Sequence, residues 1–210
     1  MEEIRILKSE KELIEVGKFR YKVYIEEMKR IQKYADHKMK TIIEPEDTKA
    51  STRIIVAYSN KELIGTSRVH IYYPGDDVAD LADYNIPKGI TDRFIVTEGT
   101  KFMINPSLRG ESNLLGKLMM KFAYELLLRE NVDIDFLNAN DYLLDYYGCR
   151  GYKKFGAAYF HKELRQYVYP MALLVKDYDY LQAIRSPFAE EKITDLEDSK
   201  RVEEIKKILF

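Results

Sequence analysis

The sequence has few of the side chains that build disulfides and metal sites. Its 210 residues include one cysteine, Cys149, three histidines and no tryptophan. A single cysteine cannot form an internal disulfide, and the scattered histidines have no zinc-ligand spacing. We therefore predict neither a metal site nor a disulfide framework.

The sequence also lacks an excess of charge of one sign and long apolar runs. Its 34 basic and 35 acidic residues give a net charge of -1, so the overall balance does not indicate nucleic acid or an anionic membrane as a partner. No run approaches the roughly 20 apolar residues of a transmembrane helix, and the first residues lack the apolar core of a signal peptide. We expect a cytoplasmic protein, and the 46% hydrophobic content is enough for the core of one domain.

The first quarter of the sequence predicts a strand, a helix and a long connection. Residues 3–7 alternate as in a strand, and Ser9 with Glu12 three residues later is typical of a helix start. The apolar positions that follow recur at helical spacing to about residue 28. Residues 30–51 are polar and unpatterned, which predicts a long loop or a short helix over a pocket.

The rest of the chain alternates between strand and helix patterns. Residues 52–58 and 62–73 predict a hairpin, and residues 93–104 predict a long strand followed by a helix over 113–129 that Ser112 caps. Further strands are predicted at 132–138, 151–161 and 169–175, with short helices at 141–147 and 177–184. The predicted order is β-α-β-β-β-α-β-α-β-β. We interpret residues 1–188 as one domain and residues 189–210 as a charged, amphipathic helical tail.

Three sequence segments, in this order, resemble one branch of the GNAT superfamily of N-acyltransferases. They are Phe19-Arg-Tyr-Lys-Val-Tyr-Ile-Glu-Glu-Met28, Glu98-Gly-Thr-Lys-Phe102 and Tyr147-Gly-Cys-Arg-Gly-Tyr152. The branch includes N-acyl amino acid synthases and acyl-homoserine-lactone synthases. The resemblance implies an α/β fold of the α+β sandwich type, with a mixed, mostly antiparallel sheet that is splayed at the donor site and has helices on both faces.

The resemblance also implies an activity, which is transfer of an acyl group from a thioester to the amine of an amino acid or similar small molecule. The thioester carrier is acyl carrier protein or coenzyme A, and no tightly bound cofactor is expected. Glu98 is the implied base. In a regular strand it shares a face with Val96 and Phe102, where desolvation would raise the pKa of its carboxyl group. A structural salt bridge from Glu98 to Lys101 or Arg68 is the alternative interpretation.

The remaining site residues are assigned by the same resemblance. Tyr147 is the implied donor of a proton to the leaving thiolate, although a tyrosine that serves only in packing is equally compatible with the sequence. The expected donor-site residues are Phe102, Met103 and Ile104, whose backbone would pair with pantetheine amides, and Arg109, Gly110 and Ser112, which precede a helix N-terminus suited to phosphate.

The expected acceptor-site residues are Arg68, Arg20, Asp36 and Asp47. Arg68 lies on the non-core face of its strand, where its guanidinium can form a fork onto a carboxylate. A solvated cross-strand charge pair is the alternative for Arg68.

Two further functions are compatible with the sequence. One is an acyl-homoserine-lactone synthase, but the synthases that this chain resembles use tryptophans in the S-adenosylmethionine pocket. The other is a non-catalytic module that binds acyl thioesters or lipids. For an enzyme, we expect carrier protein to be preferred over coenzyme A, because Ser112 and Leu114 replace glycines in the phosphate turn. A local basic face would dock the carrier through Arg109, Lys117, Lys121, Arg150, Lys153 and Lys154.

Overall fold

A computed structural model of the protein describes residues 2–87, 89–109, 114–161, 165–189 and 195–210. The strands are β1 (Glu2–Ile6), β2 (Ala35–Asp36), β3 (Thr41–Ile42), β4 (Thr52–Ser59), β5 (Glu62–Tyr72), β6 (Val96–Ile104), β7 (Ile134–Ala139), β8 (Lys153–Lys154), β9 (Tyr159–His161) and β10 (Gln166–Leu174). The helices are α1 (Glu10–Tyr21), α2 (Leu114–Arg129), α3 (Leu144–Gly148), α4 (Tyr178–Ala183) and α5 (Leu196–Leu209). This mixed α/β architecture with mostly antiparallel strands is the predicted one.

The chain divides into two compact units, each built from two segments. The first unit comprises Met1–His70 and Gly99–Ala123, and the second comprises Ile71–Glu98 and Tyr124–Phe210.

In the first unit the strand order is β1-β4-β5-β6, and the predicted hairpin of β4 and β5 is confirmed. Helix α1 begins as predicted, with the Ser9 hydroxyl accepting a hydrogen bond from the Glu12 backbone N–H. The helix continues to Glu27 with π-helical hydrogen bonding. Its apolar face fills a core with the inner side chains of the sheet, namely Val16, Phe19, Val23, Ile54, Val56, Tyr58, Leu63 and Met103.

In the second unit the strand order is β6-β7-β10-β8, with β9 also paired to β10. The β6–β7 ladder is parallel and contains three residue pairs, from Val96↔Ile134 to Glu98↔Phe136. Helix α5 belongs to this unit's core, because its residues Val202, Ile205 and Leu209 are buried in one cluster with Phe94, Val96, Ile134 and Phe136. Arg201 of α5 also forms an ion pair with the buried Asp133.

Several predicted segments differ in detail. Residues 30–51, predicted as a loop or short helix, contain β2, β3 and a 3-10 helix at Pro45–Thr48. Residues 151–161, predicted as one strand, form the separate strands β8 and β9. The break lies opposite Pro170 of β10, which has no N–H to donate to a continuous outer strand. A further 3-10 helix, Ala79–Tyr84, lies between β5 and β6, where no helix was predicted.

Candidate active site

Glu98, the predicted base, is held by a buried tyrosine. The Tyr84 hydroxyl donates a hydrogen bond to Oε1 of Glu98 over 3.0 Å, and Glu98 is the last residue of the β6–β7 ladder. Burial, and then the nearby Glu98 carboxylate, raise the pKa of Tyr84 well above its ordinary value. Tyr84 therefore stays protonated and acts as a donor. Sequence reasoning missed it, because the segment before β6 has no periodicity that would place a side chain in the core.

A second buried acid lies beside this strand. Asp135 of β7 accepts hydrogen bonds from the Thr97 hydroxyl at 2.6 Å and from the Tyr152 hydroxyl at 2.5 Å. Burial raises the pKa of Asp135 to about 6, although the two donors oppose the change. The Tyr152 ring packs edge-on against the ring of Tyr147, with centroids 5.6 Å apart. Asp135 thus fixes the position of Tyr152, against which Tyr147 packs.

Tyr147, the predicted proton donor, is buried near the end of α3. Burial raises the pKa of its phenol. Among the residues that the structure describes, its hydroxyl makes no hydrogen bond. The group therefore keeps its proton and can donate to a bound substrate. The neighbouring Tyr146 lies under the Arg150 guanidinium, 3.6 Å from the ring centroid, and its buried hydroxyl also has no hydrogen-bond partner among the described residues.

The first unit contains a buried charge network around two of the predicted acceptor-site arginines. Nη1 of Arg20 lies 2.6 Å from Oδ2 of Asp47. Nη1 of Arg68 lies 2.7 Å from Oε2 of Glu44 and 3.3 Å from Oδ1 of Asp47. Lys101 lies 2.6 Å from Glu44. We call Arg20, Glu44, Asp47, Arg68 and Lys101 the charge network. Three of the predicted acceptor-site residues, Arg20, Asp47 and Arg68, are thus brought together.

The electrostatics of the charge network favour its ionised form. Burial opposes ionisation of both carboxyl groups, but the cations hold the pKa of Glu44 and that of Asp47 below their ordinary values. Three cations face two carboxylates, which leaves one excess positive charge. In addition, Nε and Nη2 of the fully buried Arg20 have no hydrogen-bond partner among the described residues. A buried guanidinium with unused donors is suited to an anion.

Two members of the charge network were missed by sequence reasoning. Lys101 was considered as a partner of Glu98, whereas it and Arg68 both bind Glu44. The sequence around Glu44 indicates only a helix start. Glu44 caps the 3-10 helix and positions Asp47, because the side chain of each residue accepts a hydrogen bond from the backbone N–H of the other. Asp36, by contrast, is exposed, and its carboxylate accepts hydrogen bonds from two backbone N–H groups of its own turn.

The predicted donor residues lie at the end of β6. Met103 and Ile104 are buried, and the β6–β7 ladder ends before Phe102 is reached. Strand β6 is irregular, since Lys101 has a left-handed φ of 55°, so strict alternation does not extend through it. Gly110 and Ser112 lie outside the described residues.

The side chain of Arg109 binds the Ile104 carbonyl at 2.8 Å and the Glu27 carboxylate at 2.5 Å.

The predicted basic face needs correction. Arg150 is buried, with its guanidinium stacked on Tyr146. The ammonium of Lys153 lies 3.5 Å from the ring centroid of Tyr180, and desolvation lowers the pKa of this lysine. These two cations are held by aromatic rings and do not form a docking surface. Lys117 and Lys121 on α2 are exposed, as the prediction requires.

The remaining features do not add chemistry to the site. An open depression of about 300 Å³ in the first unit is lined by polar residues such as Arg5 and Glu12, which pair with each other. Within the described residues, no group of three or more potential ligands is arranged for a metal ion. In the same residues, no helix combines the length and apolarity needed to cross a membrane.

Comparisons with solved structures find the same fold in other proteins, among them two named as synthases. FeeM, an N-acyl amino acid synthase from uncultured soil microbes, is 14% identical, with 88% of this chain and 97% of that chain covered and a TM-score of 0.65. Escherichia coli ElaA is 21% identical, with 82% and 99% covered and a TM-score of 0.60. BjaI, a CoA-dependent acyl-homoserine lactone synthase, is 11% identical, with 99% and 100% covered and a TM-score of 0.68.

The family comparison is more specific than the fold. No curated protein matches the sequence. The model of the family described as N-acyl amino acid synthase FeeM matches residues 15–174, which is well over half of the chain and includes Arg20, Glu98 and Tyr147. The protein is an N-acyltransferase, and it belongs to the N-acyl amino acid synthase FeeM family.

Proposed function

We propose that this acyltransferase acylates the amine of an α-amino acid or of a similar small amine that carries a carboxylate. The observation that carries the proposal is the buried charge network, with one excess positive charge and two unused donors on Arg20. A carboxylate on the acceptor would neutralise this excess and occupy those donors. A neutral amine would leave them unsatisfied, at a cost of about 1–3 kcal/mol.

Glu98 serves as the general base in this proposal. The acceptor arrives as an ammonium, which cannot attack until it loses a proton. Glu98 accepts that proton, and the amine nitrogen then attacks the thioester carbonyl carbon. The C–N bond forms, the carbonyl oxygen becomes an oxyanion, and collapse of this intermediate breaks the C–S bond.

Tyr147 serves the departing sulfur. Its raised pKa keeps the phenol protonated at all ordinary pH values. A thiol has a pKa of about 8.5, so full transfer of the phenolic proton to the thiolate would be uphill. Tyr147 therefore stabilises the developing thiolate by donating a hydrogen bond. The nitrogen loses two protons on the way to the amide: Glu98 passes the first to the sulfur, and the second is released to solvent.

The donor in this proposal is an acyl thioester carried by coenzyme A or by acyl carrier protein. CoA-dependent synthases such as BjaI share the fold, which supports coenzyme A. The exposed Lys117 and Lys121 support a carrier protein, because such proteins present acidic surfaces.

The test uses matched acceptors and two variants. With an acyl thioester donor, kcat/KM is measured for an amino acid and for the amine that lacks only its carboxyl group. We expect the amino acid to be favoured at least about tenfold, and Arg20→Lys, which keeps the charge but removes the unused Nε and Nη2 donors, to reduce this preference. We expect Glu98→Gln to lower kcat by about 10²–10⁴ with folding unchanged by circular dichroism.

Equal use of the two acceptors would refute the carboxylate assignment, and a near-normal kcat in Glu98→Gln would refute the base. Formation of a lactone from S-adenosylmethionine would instead identify a homoserine-lactone synthase.

A further inference from the structure

Tyr84 is placed so that its ring and its hydroxyl have separate roles. The ring lies in the second unit's core, tilted against Phe136 with centroids 6.3 Å apart. A phenylalanine would supply the same apolar packing. The hydroxyl adds one contact, the 3.0 Å hydrogen bond to Glu98. A buried phenol needs such a partner, because leaving it unbonded is costly.

We propose that Tyr84 is a positioning residue for the acyl-transfer reaction, which fixes the orientation of the Glu98 carboxylate and keeps it ionised as a base. The inference rests on the proposed role of Glu98. A carboxylate can accept about four hydrogen bonds, so the bond from Tyr84 still allows Glu98 to take a proton from an ammonium. A donor to the ionised form also lowers the pKa of a carboxyl group relative to the same site without that donor.

The consequence for pH dependence has a definite sign. Glu98 acts when it is deprotonated, so activity rises as pH rises through its pKa. Removing the Tyr84 hydroxyl raises that pKa, and the rise in activity then occurs at higher pH. Three other titratable groups lie close enough to affect the pH dependence. Asp135 of β7 and Tyr159 of β9 interact electrostatically with Tyr84, and Tyr152 donates a hydrogen bond to Asp135.

The experiment compares Tyr84→Phe with a matched control, Tyr58→Phe. Tyr58 is also buried and donates to a glutamate, Glu15, in the first unit. We expect the acid limb of the kcat/KM profile to move up by about one pH unit in Tyr84→Phe and to stay in place in Tyr58→Phe. We also expect kcat to fall about tenfold at neutral pH in Tyr84→Phe only.

Two further measurements show whether a shift of the pH profile comes from Glu98 or from Asp135. Asp135→Asn identifies any part of the profile that comes from Asp135, whose pKa burial raises to about 6. Nuclear magnetic resonance of ¹³C-labelled glutamate carboxyl groups reads the pKa of Glu98 directly, without activity.

A profile and a Glu98 titration that are unchanged in Tyr84→Phe would overturn the positioning role, even if Glu98→Gln is inactive. A fully active Glu98→Gln would refute the proposed base itself, and with it the inference about Tyr84.

Discussion

Asp135 is an ionisable residue whose surroundings favour its neutral form. Its folded-state pKa of about 6 lies above the value of about 3.9 expected in the unfolded chain. Well below pH 4 both states are protonated, and the carboxyl group does not reduce the free energy of unfolding. As pH rises from about 4 to about 6 the group ionises in the unfolded chain while it stays protonated in the folded protein, so the stability that its neutral form contributes is lost, and no further loss follows above the folded-state pKa. We expect a decrease of about 2 kcal/mol in the free energy of unfolding from this group between pH 4 and pH 7.

Urea unfolding at several pH values measures this effect, with Asp135→Asn as the control. Asparagine is nearly the same size but cannot ionise, so the decrease assigned to Asp135 should disappear in the variant. The comparison uses the pH dependence of the free energy of unfolding and not its absolute value in Asp135→Asn, because Thr97 and Tyr152 must rearrange around the new amide. The same slope in both proteins would show that Asp135 does not titrate with a raised pKa.

At the scale of elements, the turn that follows α3 depends on one glycine. Gly151 has a φ of 105°, and a Cβ at this position would lie 2.4 Å from a methyl carbon of Leu181 and 3.0 Å from one of Leu173. We expect Gly151→Ala to lower the free energy of unfolding by at least about 2 kcal/mol, through backbone strain and overpacking together. Gly148, three residues earlier, has open space around it.

Gly148→Ala is therefore the matched control, and its effect should stay within about 1 kcal/mol. Thermal unfolding of the two variants measures the difference. Equal destabilisation would mean that the turn tolerates a side chain at residue 151.

The elements that were predicted well are those with a local signal. Ser9 and Glu12 mark the start of α1, and the hairpin of β4 and β5 follows from alternating apolar residues around a short turn. The break between β8 and β9 was missed because its cause, Pro170, lies on a neighbouring strand. Tyr84 and Glu44 were missed for a similar reason, since each acquires its role only from partners distant in sequence. The tertiary contacts that complete the candidate site produce no periodic pattern in the sequence, so they could not be predicted from it.

At the scale of the whole molecule, a nearly neutral protein can still recognise an acidic carrier through a local patch. If Lys117 and Lys121 dock acyl carrier protein, reversing both charges to glutamate should lower kcat/KM with carrier thioester by about tenfold at low salt, and less at 0.5 M salt, where screening is stronger. The same acyl chain on coenzyme A should be affected much less.

Lys18 and Lys22 provide the control, because they are also exposed and four residues apart on the first helix of the same unit. Their reversal changes the net charge equally. Similar losses of kcat/KM in both double variants would indicate a general effect of net charge. An unchanged kcat/KM with carrier thioester in the Lys117 and Lys121 variant would show that α2 does not dock the carrier protein.

The position of α5 affects the order in which the protein can fold during synthesis. Its buried residues Val202, Ile205 and Leu209 follow every other member of their cluster along the chain, which begins at Tyr72. A ribosome therefore releases the strands and the 3-10 helix of this core well before the helix that covers them. Until α5 emerges, the apolar side chains that it will cover remain accessible to water and to chaperones. The first unit, whose last residue is Ala123, becomes available to fold earlier.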